Sequence, residues 1–295
     1  MFLHDPQHTG RSPYRGPQSG KVEWMFDAKG YVYSSPTLDV NGNIYFSVMQ
    51  GAFFLGLRHR LFPEMEGRSI SHKSRCLRFG AMAAKHGNSA QIQLMHYFYE
   101  PTLSLDGSTL YVPGQKALYA IDTSGSLKWK FPGGTSSPAV DNDGNIYFAS
   151  ASSLYSLTPA GGIRWALDNI YAGGFDTGPA IGPDGTIYLP GIFFLYAIDY
   201  SGKLRWKYDL SVGSGSMPAI DADGTIYFGR NTQRTPADSI NFIALNSNGT
   251  VKFLVSLRSP DGTAPDIDSR PAISNDGKIS VGSDRPHGFH LYKIK

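Results

Sequence analysis

The sequence predicts an all-β fold, a β-propeller of about six four-stranded blades. Three observations predict it. A motif recurs six times along the chain, each copy carries short strand patterns separated by glycine turns, and the two ends of the array supply complementary strands. Composition agrees: 295 residues, 41% hydrophobic and only 17% charged, can bury a large core. The 34 Gly and 19 Pro have no collagen period and read as turns between many short strands.

The copies begin at Pro36 (SSPTLDVNGNIYFSV), Pro101 (YEPTLSLDGSTLYVP), Pro138 (SSPAVDNDGNIYFAS), Pro179 (TGPAIGPDGTIYLPG), Pro218 (SMPAIDADGTIYFGR) and Pro271 (SRPAISNDGKISVGS). The steps between these prolines are 65, 37, 41, 39 and 53 residues. A unit near 40 residues is the length of one propeller blade.

Each copy parses in the same order. A short strand after the proline leads to Asn41-Gly42, Asp106-Gly107, Asp143-Gly144, Asp184-Gly185, Asp223-Gly224 or Asp276-Gly277, which supplies the positive φ of a tight hairpin. The second strand mixes β-branched and aromatic residues, as in Ile146-Tyr147-Phe148, in the manner of a half-buried pleated surface. The third reads LYAI, LYSL, FIAL or LYKI. After another glycine turn the fourth reads SLKWKF (Trp129), GIRWAL (Trp165), KLRWKY (Trp206) or TVKFLV (Phe253). No 3.6-residue apolar period marks a helix within the copies.

The chain stops at HLYKIK, a third strand, while residues 19–26, SGKVEWMF, match the fourth-strand segments. The N-terminal strand is therefore expected to complete the last blade, removing an exposed sheet edge. This divides the chain into a lead-in, 1–18, and one propeller domain, 19–295, with an anomalous stretch at about 50–99.

AIDTSGSLKWKF (Ala120 to Phe131) and AIDYSGKLRWKY (Ala197 to Tyr208) resemble the tryptophan-docking repeat of the quinoprotein, or PQQ-like, β-propellers. HDPQHTGRSPYRGP (His4 to Pro17) resembles the lead-in before their first blade, and the resemblance covers roughly 4–49 and 100–295. It implies that Trp24, Trp129, Trp165 and Trp206 dock against neighbouring blades, a structural role suited to a large side chain with one N–H to satisfy. The family's dehydrogenases are typically eight-bladed and longer, with calcium-bound quinone, a catalytic aspartate and, in the alcohol-oxidising branch, a disulfide between adjacent cysteines. Cys76 is the single cysteine here, so neither that disulfide nor a cysteine-rich metal site is available. No carboxylate and amide cluster outside the repeats is recognisable as a calcium-quinone site.

Other constellations read as structural. Asp141/Asp143 and Asp221/Asp223 open like calcium loops, yet no glutamate follows at the required spacing, and the same turn recurs as GPDG and VNGN without one carboxylate. His287 and His290 are expected in the last inter-strand loop, where a metal would need a third ligand that the sequence does not show. Arg11, Arg15 and Lys21 read as surface charge rather than a nucleic-acid patch. No Ser-His-Asp order, phosphate loop or HExxH is present, and no apolar run is long enough to span a bilayer. The N-terminus lacks a secretory signal, so the expected compartment is the cytoplasm if Met1 is the true start, or a secreted or periplasmic one if the start lies upstream.

From Gly51 to Phe98 the repeat fails. This stretch has no Asp-Gly turn, no LYAI and no tryptophan, but holds Cys76, four of the eight histidines (His59, His72, His86, His96) and a charge of +5, against +3 for the whole chain. The basic balance is thus local and does not imply nucleic acid. A functional insertion, a retained intron and a shifted reading frame all account for it. Read from the third nucleotide of the Lys85 codon, codons for Lys85 to Ala90 permit Thr-Trp-Lys-Phe-Arg, a fourth-strand signature. A frame shift would leave the His, Cys and Arg residues of 51–98 without function and would scramble the first blade.

The expected function is a non-catalytic binding or protein-interaction scaffold, without cofactor, taking a protein or small ligand at the loop face or central funnel. The alternative is a PQQ- and calcium-dependent dehydrogenase or its remnant. A third reading is a secreted carbohydrate-binding propeller in which Tyr171, Phe193 and Phe194 stack on sugar rings.

Overall fold

In the computed structural model the described residues are 12–27, the strands 37–38, 44–50 and 53–59, and 102–295 apart from 115–116, 123–125, 134–135, 151, 171–177, 212–215, 232–239 and 284–289. They form an all-β molecule of six antiparallel sheets, five of four strands and one of three. The first sheet holds β2 (Thr37–Leu38), β3 (Ile44–Gln50) and β4 (Phe53–His59). The second holds β5 (Thr102–Leu103), β6 (Thr109–Pro113), β7 (Ala117–Asp122) and β8 (Leu127–Pro132). The third holds β9 (Ala139–Val140), β10 (Ile146–Ser150), β11 (Ser153–Leu157) and β12 (Ile163–Leu167). The fourth holds β13 (Ala180–Ile181), β14 (Ile187–Pro190), β15 (Phe194–Ile198) and β16 (Leu204–Asp209). The fifth holds β17 (Ala219–Ile220), β18 (Ile226–Gly229), β19 (Phe242–Leu245) and β20 (Val251–Val255). In the sixth, β21 (Ala272–Ile273), β22 (Ile279–Gly282) and β23 (His290–Ile294) are joined by β1 (Val22–Asp27).

The β1–β23 pairing is the junction that the ends of the sequence predict, running antiparallel from Val22↔Ile294 to Asp27↔His290. Within the anomalous stretch, Phe53–His59 forms a third strand in continuous register with β3, from Gln50↔Phe53 to Ile44↔His59. Backbone pairing accepts FFLGLRH although it does not match LYAI. Residues 60–101, which contain Cys76 and the alternative-frame hexapeptide, lie outside the described residues.

Burial follows strand rank. First and second strands are buried throughout in the third to sixth sheets, whereas fourth strands alternate, as in Leu127–Pro132 and Leu204–Asp209. First strands are therefore inside and fourth strands form the rim. Each core cluster draws on two successive sheets: Tyr111 and Leu118 with Phe148 and Leu157, Tyr147 with Ile187 and Ile198, Tyr188 with Phe228 and Ile243, and Tyr227 and Phe242 with Val281 and Tyr292. Among the described residues every core cluster is shared between two blades, which is how repeat architectures derive stability from neighbours.

Two local features differ from the sequence expectation. The Asp-Gly turns have positive φ at the glycine alone, for example 81° at Gly144 and 80° at Gly224. Gly144 N–H donates to the Asp141 carbonyl (3.0 Å) and Asp141 N–H to the Asn145 carbonyl (3.0 Å), giving a longer turn closed by a left-handed glycine rather than a two-residue mirror-image turn. The second feature is a β-bulge between third and fourth strands, at Ala120/Ile121, Ser156/Leu157, Ala197/Ile198, Ala244/Leu245 and Val22/Trp24. A bulge redirects the residue it holds. Lys128 thereby reaches Thr109 (2.6 Å), Arg164 reaches Ser156 (2.8 Å), Arg205 reaches Asp184 (2.8 Å) and Lys252 reaches Thr225 (3.1 Å). In the sixth sheet the polarity is reversed: Glu23 accepts from Lys278 at 2.9 Å.

Candidate binding face

Three of the four tryptophans meet the following blade in the same way. The indole N–H of Trp129 donates to the Pro159 carbonyl, that of Trp165 to Tyr200 and that of Trp206 to Ser247, each at 3.0 Å. Each ring covers a left-handed glycine two residues further on; a β-carbon on Gly249 would lie 2.8 Å from the Trp206 ring. Its other face packs against a second-strand tyrosine of its own blade, Tyr111, Tyr147 or Tyr188, with centroids 5.7 to 5.9 Å apart. Trp24 is half-buried in β1, and the first-blade stretch equivalent to these turns lies outside the described residues.

Antiparallel order puts the first-to-second and third-to-fourth turns on one face, and the second-to-third loops and the blade-to-blade crossings on the other. On the turn face the paired carboxylates are consumed locally. Asp141 accepts from the backbone N–H of Asp143 and Asn145, the Asn145 amide and the Tyr147 hydroxyl. Asp221, wholly buried, accepts through Oδ1 from Asp223 N–H (3.0 Å) and Thr225 N–H (2.8 Å), and through Oδ2 from Gly16 N–H (2.9 Å) and the Tyr227 hydroxyl (3.0 Å). Both carboxylates cap their turns.

The loop face is elaborated in the fifth and sixth blades. The second and third strands are joined through residues 151–152 in the third blade and 191–193 in the fourth, but through 230–241 in the fifth; the crossing into the sixth blade spans 256–271. Long loops on a rigid frame are where binding groups collect, and of the one between the fifth-blade strands the described residues are 230–231 and 240–241. Two buried side chains hold these. The Asn241 amide donates to the carbonyls of Leu257 (3.0 Å) and Pro265 (2.8 Å) and accepts from Leu257 N–H (2.7 Å), and Arg230 donates to the carbonyls of Ile240 and Leu210, both at 3.0 Å. Asp266 and Arg270, also buried, belong to the same crossing. From it projects a turn over 258–263: Gly262 has φ 82°, Gly262 N–H donates to Ser259 O, the Asp261 carboxylate accepts from the Thr263 N–H and hydroxyl, and Arg258 closes onto the Gly262 carbonyl at 2.9 Å. Arg258, Pro260 and Asp261 are exposed at its tip.

Sequence reasoning missed this turn, although its signal, Ser-Pro-Asp-Gly-Thr, was present outside the repeat alignment. Asn241 and Arg230 had no sequence signal, since their partners are distant carbonyls. His290 differs from its expected place: it is not in the loop but opens β23, 3% exposed, with its ring 6.0 Å from that of Tyr292, because its backbone pairs with Ser283. His287, Tyr171 and Cys76 lie outside the described residues. Phe193 is 50% exposed beside Ile192, while Phe194 packs inward under the Lys207 ammonium at 4.2 Å. Phe194 is half-buried.

A calcium-bound quinone requires carboxylate and amide oxygens converging on one space. Among the described residues no group of three or more His, Cys, Asp or Glu is placed to hold a metal, and Asp221 has both oxygens occupied by donors.

Burial dominates the tyrosine electrostatics. It pushes the phenols of Tyr188 and Tyr292 up to about 12 and raises those of Tyr111, Tyr147 and Tyr227, the last two also through the Asp141 and Asp221 carboxylates. A raised folded-state value means the unfolded chain releases these protons first as pH rises, so this stability is complete below about pH 10 and is lost above it. Denaturant unfolding measured from pH 8 to 12 should show a decline that begins near pH 10, and Tyr188→Phe should make the decline shallower.

No protein-family model matches the chain, and no curated protein matches it. Among solved structures it is similar to the extracellular domain of a putative hybrid two-component system from B. thetaiotaomicron, at 14% identity and TM-score 0.53, over 93% of this chain and 39% of that one. The extracellular domain of a putative one-component system from the same organism gives 13%, 0.52, 92% and 40%. A europium-containing methanol dehydrogenase gives 10% identity and TM-score 0.51 over 100% of this chain and 97% of that one. The chain spans about two fifths of the two extracellular domains. At these identities the similarity establishes the all-β propeller fold.

Proposed function

We propose that the chain is a non-catalytic propeller of the PQQ-like type, whose loop face in the fifth and sixth blades binds a partner. One fold serves a methanol dehydrogenase and extracellular domains alike, so the site must decide between catalysis and binding. The observation that carries the reading is the platform formed by the crossing 256–271, held by the buried Asn241 with Arg230 beside it, with the turn 258–263 presented at its edge. Its anchors are satisfied by backbone carbonyls, so they position an exposed surface and leave no activated group for chemistry. A crossing already held in place binds without a large ordering penalty.

A photo-crosslinking residue placed at Asp261 in the native host should yield one discrete adduct, and the same residue at Asp184 on the turn face should yield none. Equal labelling at both positions, or none at Asp261, overturns the proposal. The quinone reading is tested separately by adding PQQ with calcium or europium to the purified chain: neither saturable binding nor methanol-dependent dye reduction is expected.

A further inference from the structure

Among the described blade junctions, that of the fifth and sixth blades differs from the three before it. Phe253 occupies the tryptophan position, pairing with Ala244 as Trp206 pairs with Ala197, and contacts the Tyr227 ring at 6.2 Å. The glycine it faces is Gly20, whose β-carbon would lie 3.1 Å from the phenyl ring. In the earlier blades the docking turn is one continuous segment. Here it is built from two segments 276 residues apart: Ser19 Oγ donates to the Lys295 carbonyl at 2.6 Å, and the backbones of Lys21 and Lys295 exchange hydrogen bonds at 3.2 and 2.9 Å. Phenylalanine also has no N–H to give to a turn carbonyl.

The residues before Gly20 strap the same junction. Ser12 N–H donates to the Ile220 carbonyl of β17 (2.7 Å), and Ala222 N–H returns a bond to Tyr14 O (3.0 Å). Arg15 pairs with Asp223 at 3.1 Å, and its carbonyl lies 3.2 Å from a β-carbon built on Gly277 of the sixth blade. Gly16 N–H ends on buried Asp221, and a side chain at Gly16 would run into the Tyr227 hydroxyl.

We infer that residues 12–20 form a latch across the fifth and sixth blades, and that this seam, with phenylalanine in place of a docking tryptophan and a turn whose two halves are distant in the chain and joined by hydrogen bonds, is where the described propeller opens first. Local opening follows the weakest cooperative boundary. The seam belongs to the fold and does not depend on the binding role of the loop face.

Hydrogen exchange on the full chain, with two variants, tests this. In the parent, amides of β1 and the end of β20 should exchange about tenfold faster than those of β16, an equivalent rim strand. Gly16→Ala should accelerate exchange in β1 and β20 while leaving the third and fourth blades unchanged, and Phe253→Trp should slow it at the same two strands. Equal protection of β1 and β16 in the parent, uniform acceleration in Gly16→Ala, or no slowing in Phe253→Trp overturns the latch.

Discussion

Trp206→Ala lowers the unfolding free energy by about 3 kcal/mol, the lower end of the range for a tryptophan lost from a core, because the indole is only half-buried. The change removes the ring packed between Tyr188 and the Gly249 turn and the bond to the Ser247 carbonyl. For a chain of this size the midpoint should fall by roughly 6 to 12 °C. Trp206→Phe keeps part of the packing and loses the bond, so it should cost about 1 to 2 kcal/mol. Differential scanning calorimetry of both variants checks the order. If alanine and phenylalanine are equally mild, the indole is a surface ring and the docking role of these tryptophans fails. The expected loss is not confined to one blade, because the fourth and fifth blades share the core that contains Tyr188, Ile220, Phe228 and Trp206.

Asp221→Ala is expected to destabilise by about 2 to 5 kcal/mol, and by more than Asp141→Ala. Both carboxylates accept four hydrogen bonds, but their surroundings differ. Water can replace Asp141 at its half-buried turn, whereas loss of Asp221 strands the Gly16 N–H and the Tyr227 hydroxyl in the interior. Asp221→Asn retains acceptors for Asp223 and Thr225 but turns an NH2 toward the Gly16 N–H, so it should recover less than half of the loss. Chemical denaturation of the three variants measures this. A smaller effect at Asp221 than at Asp141 would show that the lead-in contributes nothing to the folded state.

Much of this was legible in the sequence because propeller blades are local. A proline-led strand, an Asp-Gly turn, an aromatic second strand and a rim strand with a central tryptophan all lie within one copy, so periodicity and turn chemistry sufficed to order them. The closing strand was legible for the same reason, since SGKVEWMF repeats a pattern seen elsewhere. The bulges were not, because an extra residue changes no side-chain type; it shows only in the register Ser156↔Trp165 followed by Leu157↔Ile163. The platform was only half legible: Asp261-Gly262 announced a turn, while Arg230 and Asn241 looked like ordinary loop residues.

The sequence by itself determined the strand content, the number of repeats and the partner of the first strand, because each rests on short-range pattern or on a repeated signature. Only the tertiary structure decided which carboxylate is a buried cap, that Phe253 meets Gly20, that His290 lies inside a strand, and that the elaborated loops share one face of the fifth and sixth blades. Those outcomes depend on groups far apart in the chain, up to 276 residues for Ser19 and Lys295. Hydrogen bonds between such groups have no sequence period, since the carbonyl that accepts them is the same in every residue.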